Sequence, residues 1–169
     1  MTIDLTKMTT PIGRLTVAAT DGRLCAIDFG NRPKLERTLR ASGEIRRGAP
    51  SARTKAIVRR LEAYFDGDLD ALDAIQVEPL WGTPFQRRVW KALRSIAVGK
   101  TVSYGQLARR VRSPKAVRAV GSANGANPMP LVLPCHRVIA SGGGLGGYGG
   151  GLNTKRWLLD HEGAFLPGV

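Results

Sequence analysis

A chain of 169 residues with 43% hydrophobic and 23% charged residues has the make-up of a globular protein with one domain or two small ones, and a core that needs no disulfide staples. It contains no apolar run near the ~18 residues of a membrane span, no basic-then-apolar secretory signal, and only two cysteines, so a reducing cytoplasmic setting is expected, nucleoid-associated in a bacterium. The net charge of +13 is one-sided: residues 1–80 carry 13 Lys and Arg against 11 Asp and Glu, and residues 81–169 carry 13 against 2, which favours a polyanion such as nucleic acid over a neutral or membrane partner.

The first third alternates as strands do. "IDLTKMT", "GRLTVAAT" and "LCAIDFG" are separated by the turns "TPIG" and "TDG". Cys25, among Leu24, Ala26 and Ile27, reads as a small buried hydrophobe. "KLERTLR" and "TKAIVRRLEAYFDGDL" predict helices, with a loop near 43–53 between them. The acidic stretch 66–80 reads as a linker, which places a domain boundary near residue 80. Next, 83–99 predicts an amphipathic helix with Thr83 as N-cap, Pro84 in its first turn, and Phe85, Val89, Trp90 and Leu93 on one face. In 102–125 a short helix carries Leu107 and Val111, "RSP" breaks it, and a second helix over 114–123 carries Ala116, Ala119, Gly121 and Ala123. This pattern fits a helix-turn-helix and equally a plain helical hairpin. The small side chains leave Arg118 as the long cation of that second helix, an arrangement that suits close approach to a partner and equally suits internal packing.

"SGGGLGGYGGG" (141–151) spells G-x-G-x-x-G at Gly144, Gly146 and Gly149, but lacks the strand–turn–helix setting and the acid ~20 positions on that a dinucleotide site requires. Tight turns between two short strands, with Tyr148 pointing into a site, are expected instead. Two cysteines and two histidines without paired ligand spacing predict no metal site, and no cofactor is expected.

"LVLPCHRVIA" sets Cys135 beside His136. A thiol with pKa ~8.5 is only slightly ionised at neutral pH, so a nucleophilic cysteine needs a base, and the base needs an acid to fix its tautomer. Glu162 and Asp160 are the acids after residue 80. Taken alone, the motif fits a catalytic cysteine and equally a buried core thiol beside a surface histidine.

"GSANGANPMPLVLPCHRVIASGGGLGGYGGGLNTKRWLLDHEG", with "PFQRRVWKAL", "VSYGQLA" and "PKAVRAVG" upstream, closely resembles the O6-alkylguanine-DNA alkyltransferases over 81–163, while residues 1–80 resemble their variable N-terminal domain only loosely. The resemblance implies an α+β chain. An N-terminal α/β domain (1–80) with a short antiparallel sheet precedes a mostly helical domain (81–169) with a helix-turn-helix and a small wing. It implies that Cys135 accepts the alkyl group, that His136 is its base through a water, that Glu162 orients His136, and that Asn127 braces the turn. Tyr104 would help rotate the nucleotide out and hydrogen-bond the guanine, and Arg118 would enter the vacated stack. Ser103, Ala116 and Ala119 would lie on the DNA, entered from the minor groove. Met129, Val138, Tyr148 and Gly149 would line the base pocket, Gly149 offering only a backbone amide where some relatives carry serine. The partner implied is double-stranded DNA bearing O6-alkylguanine, with O4-alkylthymine a second substrate. The protein would need no obligate protein partner, act as a monomer with side-by-side assembly on DNA left open, and react once per molecule. The zinc site of some relatives is not expected, since residues 1–80 hold one cysteine and no histidine. A non-catalytic helix-turn-helix protein that binds alkylated DNA, and a cysteine hydrolase, are the rival readings.

Overall fold

The computed structural model describes residues 1–166, so the last three positions of the expected 81–169 domain lie outside the described residues. The chain forms two compact units, one over Met1–Trp81 and the other from Gly82 onward.

In the first unit, strands β1 (Thr2–Thr10), β2 (Gly13–Thr20) and β3 (Arg23–Asp28) form an antiparallel meander. The β2–β3 turn holds Asp21 and Gly22 at φ 48° and 80°, both in the left-handed region that matches the strand twist. Helix α1 (Leu35–Arg40) leads to strand β4 (Glu44–Arg47), which lies parallel to the start of β1 and completes the order β3-β2-β1-β4. This strand replaces part of the loop expected over 43–53. Three of its four residues are charged, so it has no hydrophobic alternation, and charge is what a solvent-facing edge strand carries. Helix α2 (Ala52–Phe65) is capped by Ser51, and buries Thr54, Ile57, Leu61, Tyr64 and Phe65 along one helical face. Buried Asp4 ties the elements together, accepting hydrogen bonds from Arg46 of β4 (2.6 Å), Ser51 N (3.0 Å) and Thr54 Oγ1 of α2 (2.6 Å). Burial pushes its carboxyl up, but the bonds from Thr54, Ser51 and Arg46 prevail and bring the pKa down to about 2.

The acidic stretch 66–80 is not a free linker. Ala71, Leu72 and Ile75 are buried, and the chain runs beside Leu24 through Leu24 N–Gln76 O (2.8 Å) and Glu78 N–Leu24 O (2.7 Å). Its acids face water while its apolar residues complete the unit. Cys25 is a core residue packed with Ile3, Ala18 and Leu39, and burial pushes its thiol up to about 11, which leaves it inert.

In the second unit, helix α3 (Pro84–Leu93) starts from a complete capping box of Thr83 and Gln86. It ends six residues before the expected Gly99, and 95–96 turn back instead on carbonyls of Ala92 and Leu93. Val89, Trp90 and Leu93 are buried and Phe85 is partly so. Strand β5 (Val102–Ser103) precedes helix α4 (Tyr104–Arg110), and helix α5 (Val117–Gly125) packs against both α3 and α4. Helix α5 begins three residues later than Ser113–Pro114 suggests. Arg112 takes φ 59°, Ala116 N bonds Ser113 O, and Pro114 belongs to this turn rather than to the helix. Strand β6 (Val138–Ile139) pairs in parallel with β5. The glycine-rich segment after it forms turns but no second strand, because the partner of β6 comes from far upstream. Helix α6 (Leu152–His161) closes the described chain.

Candidate active site

Cys135 opens a single 3₁₀ turn, Cys135–Arg137, and is 7% exposed. The chain reaches it through a braced segment. Asn127 Nδ2 donates to Leu133 O (2.7 Å) and Met129 N donates to Asn127 Oδ1 (2.9 Å). Between them buried Leu131 holds φ 75°, a conformation that costs free energy in a residue with a side chain and persists only where its surroundings impose it. Asn127 thus fixes the path that delivers Cys135.

His136 is fully buried, not a surface neighbour. Its Nε2 lies 2.8 Å from Glu162 Oε1. Arg137 donates Nε to Glu162 Oε2 (2.9 Å), Nη2 to Oε1 (2.9 Å), and Nη1 to Ile96 O (2.6 Å). Glu162 caps the C-terminus of α6, where the helix dipole disfavours an anion, so these donors decide its charge. Burial pushes its carboxyl up, but the bonds and charges of His136 and Arg137 prevail and hold it well below the usual carboxylate range. Burial pushes the His136 pKa down, against the opposing pull of Glu162, and the Arg137 charge pushes it the same way as burial. A neutral imidazole beside a carboxylate must donate through Nε2. Nδ1 therefore carries the lone pair; it is buried and has no hydrogen-bond partner among the described residues. The network is a base with a fixed tautomer, next in the chain to a cysteine.

Tyr104 begins α4, whose N-cap is Ser103, with the Ser103 hydroxyl accepting from Gln106 N (3.1 Å). A Cβ on Gly146, which sits at φ +70°, would come within 3.0 Å of the Tyr104 hydroxyl, so glycine is needed for this approach. Burial raises the Tyr104 pKa and a charge on Cys135 raises it further, against a bond from the Gly147 main chain. Lys155 of α6 is fully buried, donating to Val138 O (2.7 Å) and Gly147 O (3.2 Å). Burial lowers its pKa to about 8, while a charge on Cys135 favours its ammonium form. The favour is mutual, so the lysine supports a thiolate.

A cleft of about 410 Å³ opens between Tyr104, Gly105, Val117, Arg118 and Ser141. Arg118, Val117 and Ala119 are exposed on α5 and Ala116 is partly so. Exposed Arg87, Arg88 and Lys91 of α3 and Arg109, Arg110, Arg112 and Lys115 extend the positive surface, and the sequence has no acid between Glu78 and Asp160. Two cationic side chains tie the helices: Arg88 Nη2 donates to Ser113 Oγ (3.4 Å) and Arg110 Nη1 to Ser95 Oγ (3.1 Å).

Two family models together match most of the chain: the 6-O-methylguanine DNA methyltransferase ribonuclease-like domain over residues 5–79 and its DNA binding domain over 84–164. A methylated-DNA–protein-cysteine methyltransferase of Salmonella typhimurium is 45% identical over 166 residues, 95% of each chain. One from Mycobacterium bovis is 46% identical over 93% of this chain and 90% of its own. The chain belongs to this methyltransferase family. A crystal structure of Mycobacterium tuberculosis OGT in complex with DNA aligns with a TM-score of 0.78 and 40% identity, over 99% of this chain and 96% of that one. The family's two-part α+β architecture, a small-sheet domain followed by a helical one, is the architecture of this chain.

Of the residues that the methyltransferase resemblance singles out, Cys135, His136, Glu162 and Asn127 lie in one connected buried group, with Val138 fully buried beside them in sequence. Met129 is fully buried and serves the Asn127 brace, while Tyr148 is half-buried and Gly149 exposed. Sequence reasoning missed Arg137 and Lys155. Arg137 could have been found as a charge inside an apolar run, which needs a partner. Lys155 shares its helical face with Leu158, Leu159 and Glu162, the spacing of a buried stripe. Among the described residues no group of three or more His, Cys, Asp or Glu is placed to hold a metal, and no helix is long and apolar enough to cross a membrane.

Proposed function

We propose that this protein repairs DNA by irreversible transfer of the alkyl group of O6-alkylguanine in duplex DNA to Cys135, one group per molecule. The observation that carries this is the buried His136–Glu162–Arg137 network beside Cys135, a base of fixed tautomer supplied to a single thiol.

The duplex lies on the cationic face, with α5 against the minor groove, where Ala116 and Ala119 permit close approach. An O6-alkyl group is out of reach inside the stack, so the nucleotide is extruded at an unstacking cost of a few kcal/mol. Arg118 fills the gap and offsets part of that cost. The Cys135 thiol gives its proton to His136 Nδ1, directly or through one water, and Glu162 stabilises the imidazolium. Lys155 favours the thiolate meanwhile. The thiolate attacks the alkyl carbon; the S–C bond forms, the O6–C bond breaks, and its electron pair leaves with the guanine. The Tyr104 hydroxyl donates to a guanine ring nitrogen to stabilise that anion, and the proton held by His136 restores the balance. O4-alkylthymine presents the same kind of alkyl–oxygen bond and is a second, poorer substrate. The product is a thioether, without the carbonyl carbon through which water regenerates a hydrolase. The reaction asks for no cofactor and no protein partner, and a reduced thiol suits the cytoplasm.

Mass spectrometry of the protein mixed with excess methylated duplex tests this. One methyl group per molecule on the peptide containing Cys135 is expected. Several turnovers, the label on Cys25, or binding without transfer would overturn it.

A further inference from the structure

Trp90 lies on the buried side of α3, 1% exposed, and both ends of its indole are held. At the six-membered ring stands Gly82, at φ +110°, where a Cβ would come within 2.5 Å of two ring carbons, so glycine is needed for the ring to lie there. At the other end Nε1 donates to Ala123 O in the last turn of α5 (2.7 Å). A plain aromatic ring would supply the apolar contact; tryptophan adds a donor to it.

The last turn of a helix leaves carbonyls without intrahelical donors. Beyond α5 the chain turns away. Ala126 N still bonds Ser122 O (3.0 Å), four residues back, but Asn127 N bonds Asn124 O (3.3 Å), three residues back. The carbonyl that Asn127 N would meet in a continued helix is Ala123 O, and the indole N–H comes to it from α3. Asn127 is also the residue whose side chain holds Leu133 O and Met129 N, and with them the path to Cys135. Helix α3 carries Arg87, Arg88 and Lys91 on its exposed side. Trp90 therefore joins the cationic face to the segment that delivers the thiol.

We propose that Trp90 is a positioning residue for alkyl transfer, an inference that rests on the alkyl-transfer reading above. Its N–H holds the end of α5, and through Asn127 it sets where the Cys135 sulfur stands relative to Arg118 at the start of the same helix. Without that N–H the buried Ala123 carbonyl loses a donor, the last turn relaxes toward the ordinary helical bond, and Asn127 moves with it. A displacement of about 1 Å at the reacting atoms costs up to ~100-fold in rate, so a loss on the order of ten-fold is expected.

The test follows single-turnover methyl transfer from an O6-methylguanine duplex, over a range of duplex concentrations, at a temperature well below melting. It compares the parent with Trp90→Phe and with a chain carrying β-(3-benzothienyl)alanine at position 90, which keeps both rings and replaces N–H by sulfur. In both variants the rate at saturating duplex should fall about ten-fold, and the rate with free O6-benzylguanine should fall with it. The half-saturating concentration should stay within about two-fold, because no cation of the DNA-facing surface is touched. The acid limb of the pH profile should also stay in place, because the His136–Glu162–Arg137 network is intact. The parent rate in the benzothienyl variant would overturn the proposal, since ring volume and not the N–H would then matter. So would a loss confined to the half-saturating concentration, which would make Trp90 a support for DNA binding alone. Where Trp90→Phe does not fold, the benzothienyl variant decides by itself. A parent protein that transfers methyl from neither substrate would instead remove the alkyl-transfer reading.

Discussion

Replacing Arg137 by leucine removes three hydrogen bonds: two to Glu162 and one to Ile96 O. Glu162 is 5% exposed, and His136 would be left as its remaining side-chain donor among the bonds described above. Removing one partner of a buried ion pair costs about 3–5 kcal/mol, because the other charge stays buried without compensation. At roughly 4–8 °C per kcal/mol for a unit of this size, melting should fall by at least ~12 °C. The chemistry should shift as well. Arg137 is one of the charges that holds the His136 pKa down. Without it, and with Glu162 still anionic, the imidazole binds its proton at a higher pH. The base is active when neutral, so the acid limb of the transfer-rate profile should move to higher pH. Circular-dichroism melting and single-turnover transfer between pH 5 and 8 measure both effects. Arg137→Leu combined with Glu162→Leu should recover part of the stability, since neither charge of this pair remains buried, but not the transfer rate. A melting temperature within ~2 °C of the parent, or an acid limb that stays in place, would refute the assignment of Arg137 as the group that sets the state of Glu162 and His136.

Arg118→Ala should slow repair of duplex DNA far more than reaction with free O6-benzylguanine, because only the duplex requires extrusion; equal losses in the two assays would tie Arg118 to chemistry or folding. Gly146→Ala places a side chain at φ +70° and a Cβ 3.0 Å from the Tyr104 hydroxyl, and should slow transfer on the order of ten-fold or more in single-turnover kinetics; an unaltered rate would free Tyr104 from the chemical step. Asp4 has a folded pKa of about 2 against an unfolded value of roughly 3.9, so its contribution is complete above pH ~4 and disappears as pH falls toward 2. Asp4→Asn should therefore destabilise the protein at pH 6 and by roughly half as much at pH 3, and thermal melts showing the same deficit at both would contradict this.

The parts of the fold that could be read in advance are those whose residues carry a periodic apolar signal. The strands around Ile3, Val17 and Ile27 and the helix face of Val89, Trp90 and Leu93 all bury the residues that their spacing marks. Strand β4 carries no such signal, since pairing with β1 and the Arg46–Asp4 bond hold it rather than burial of its own side chains. The start of α5 was displaced because Ser113 and Pro114 suit a helix start and a turn equally, and Arg112 in the left-handed region selected the turn. At the site, Cys135, His136, Glu162 and Asn127 were legible through the motifs around them. Arg137 and Lys155 were not, because a buried polar group is specified by what it touches across the fold: Ile96 and Glu162 for one, Val138 and Gly147 for the other. Local sequence does not carry those pairings.

The two units treat their cations differently. In the first, Arg23, Arg40, Arg46, Arg47 and Arg53 each meet a carboxylate of the same unit. In the second, the ion pairs described above are the buried ones on Glu162, and the surface cations of α3, α4 and α5 have no acid in their stretch of chain to meet. Such a surface is neutralised from outside, by small anions or by a phosphate backbone, and the exchange of one for the other is indifferent to base sequence. Contacts of that kind let a protein slide and hop between neighbouring positions without a full release, at the expense of residence on intact duplex. A lesion is rare among undamaged base pairs, and under the proposed chemistry a molecule that reacts once would have no second encounter to recover a missed one. On the proposed function, the cationic surface of the second unit would turn the search for damage from a three-dimensional problem into a local scan along the helix.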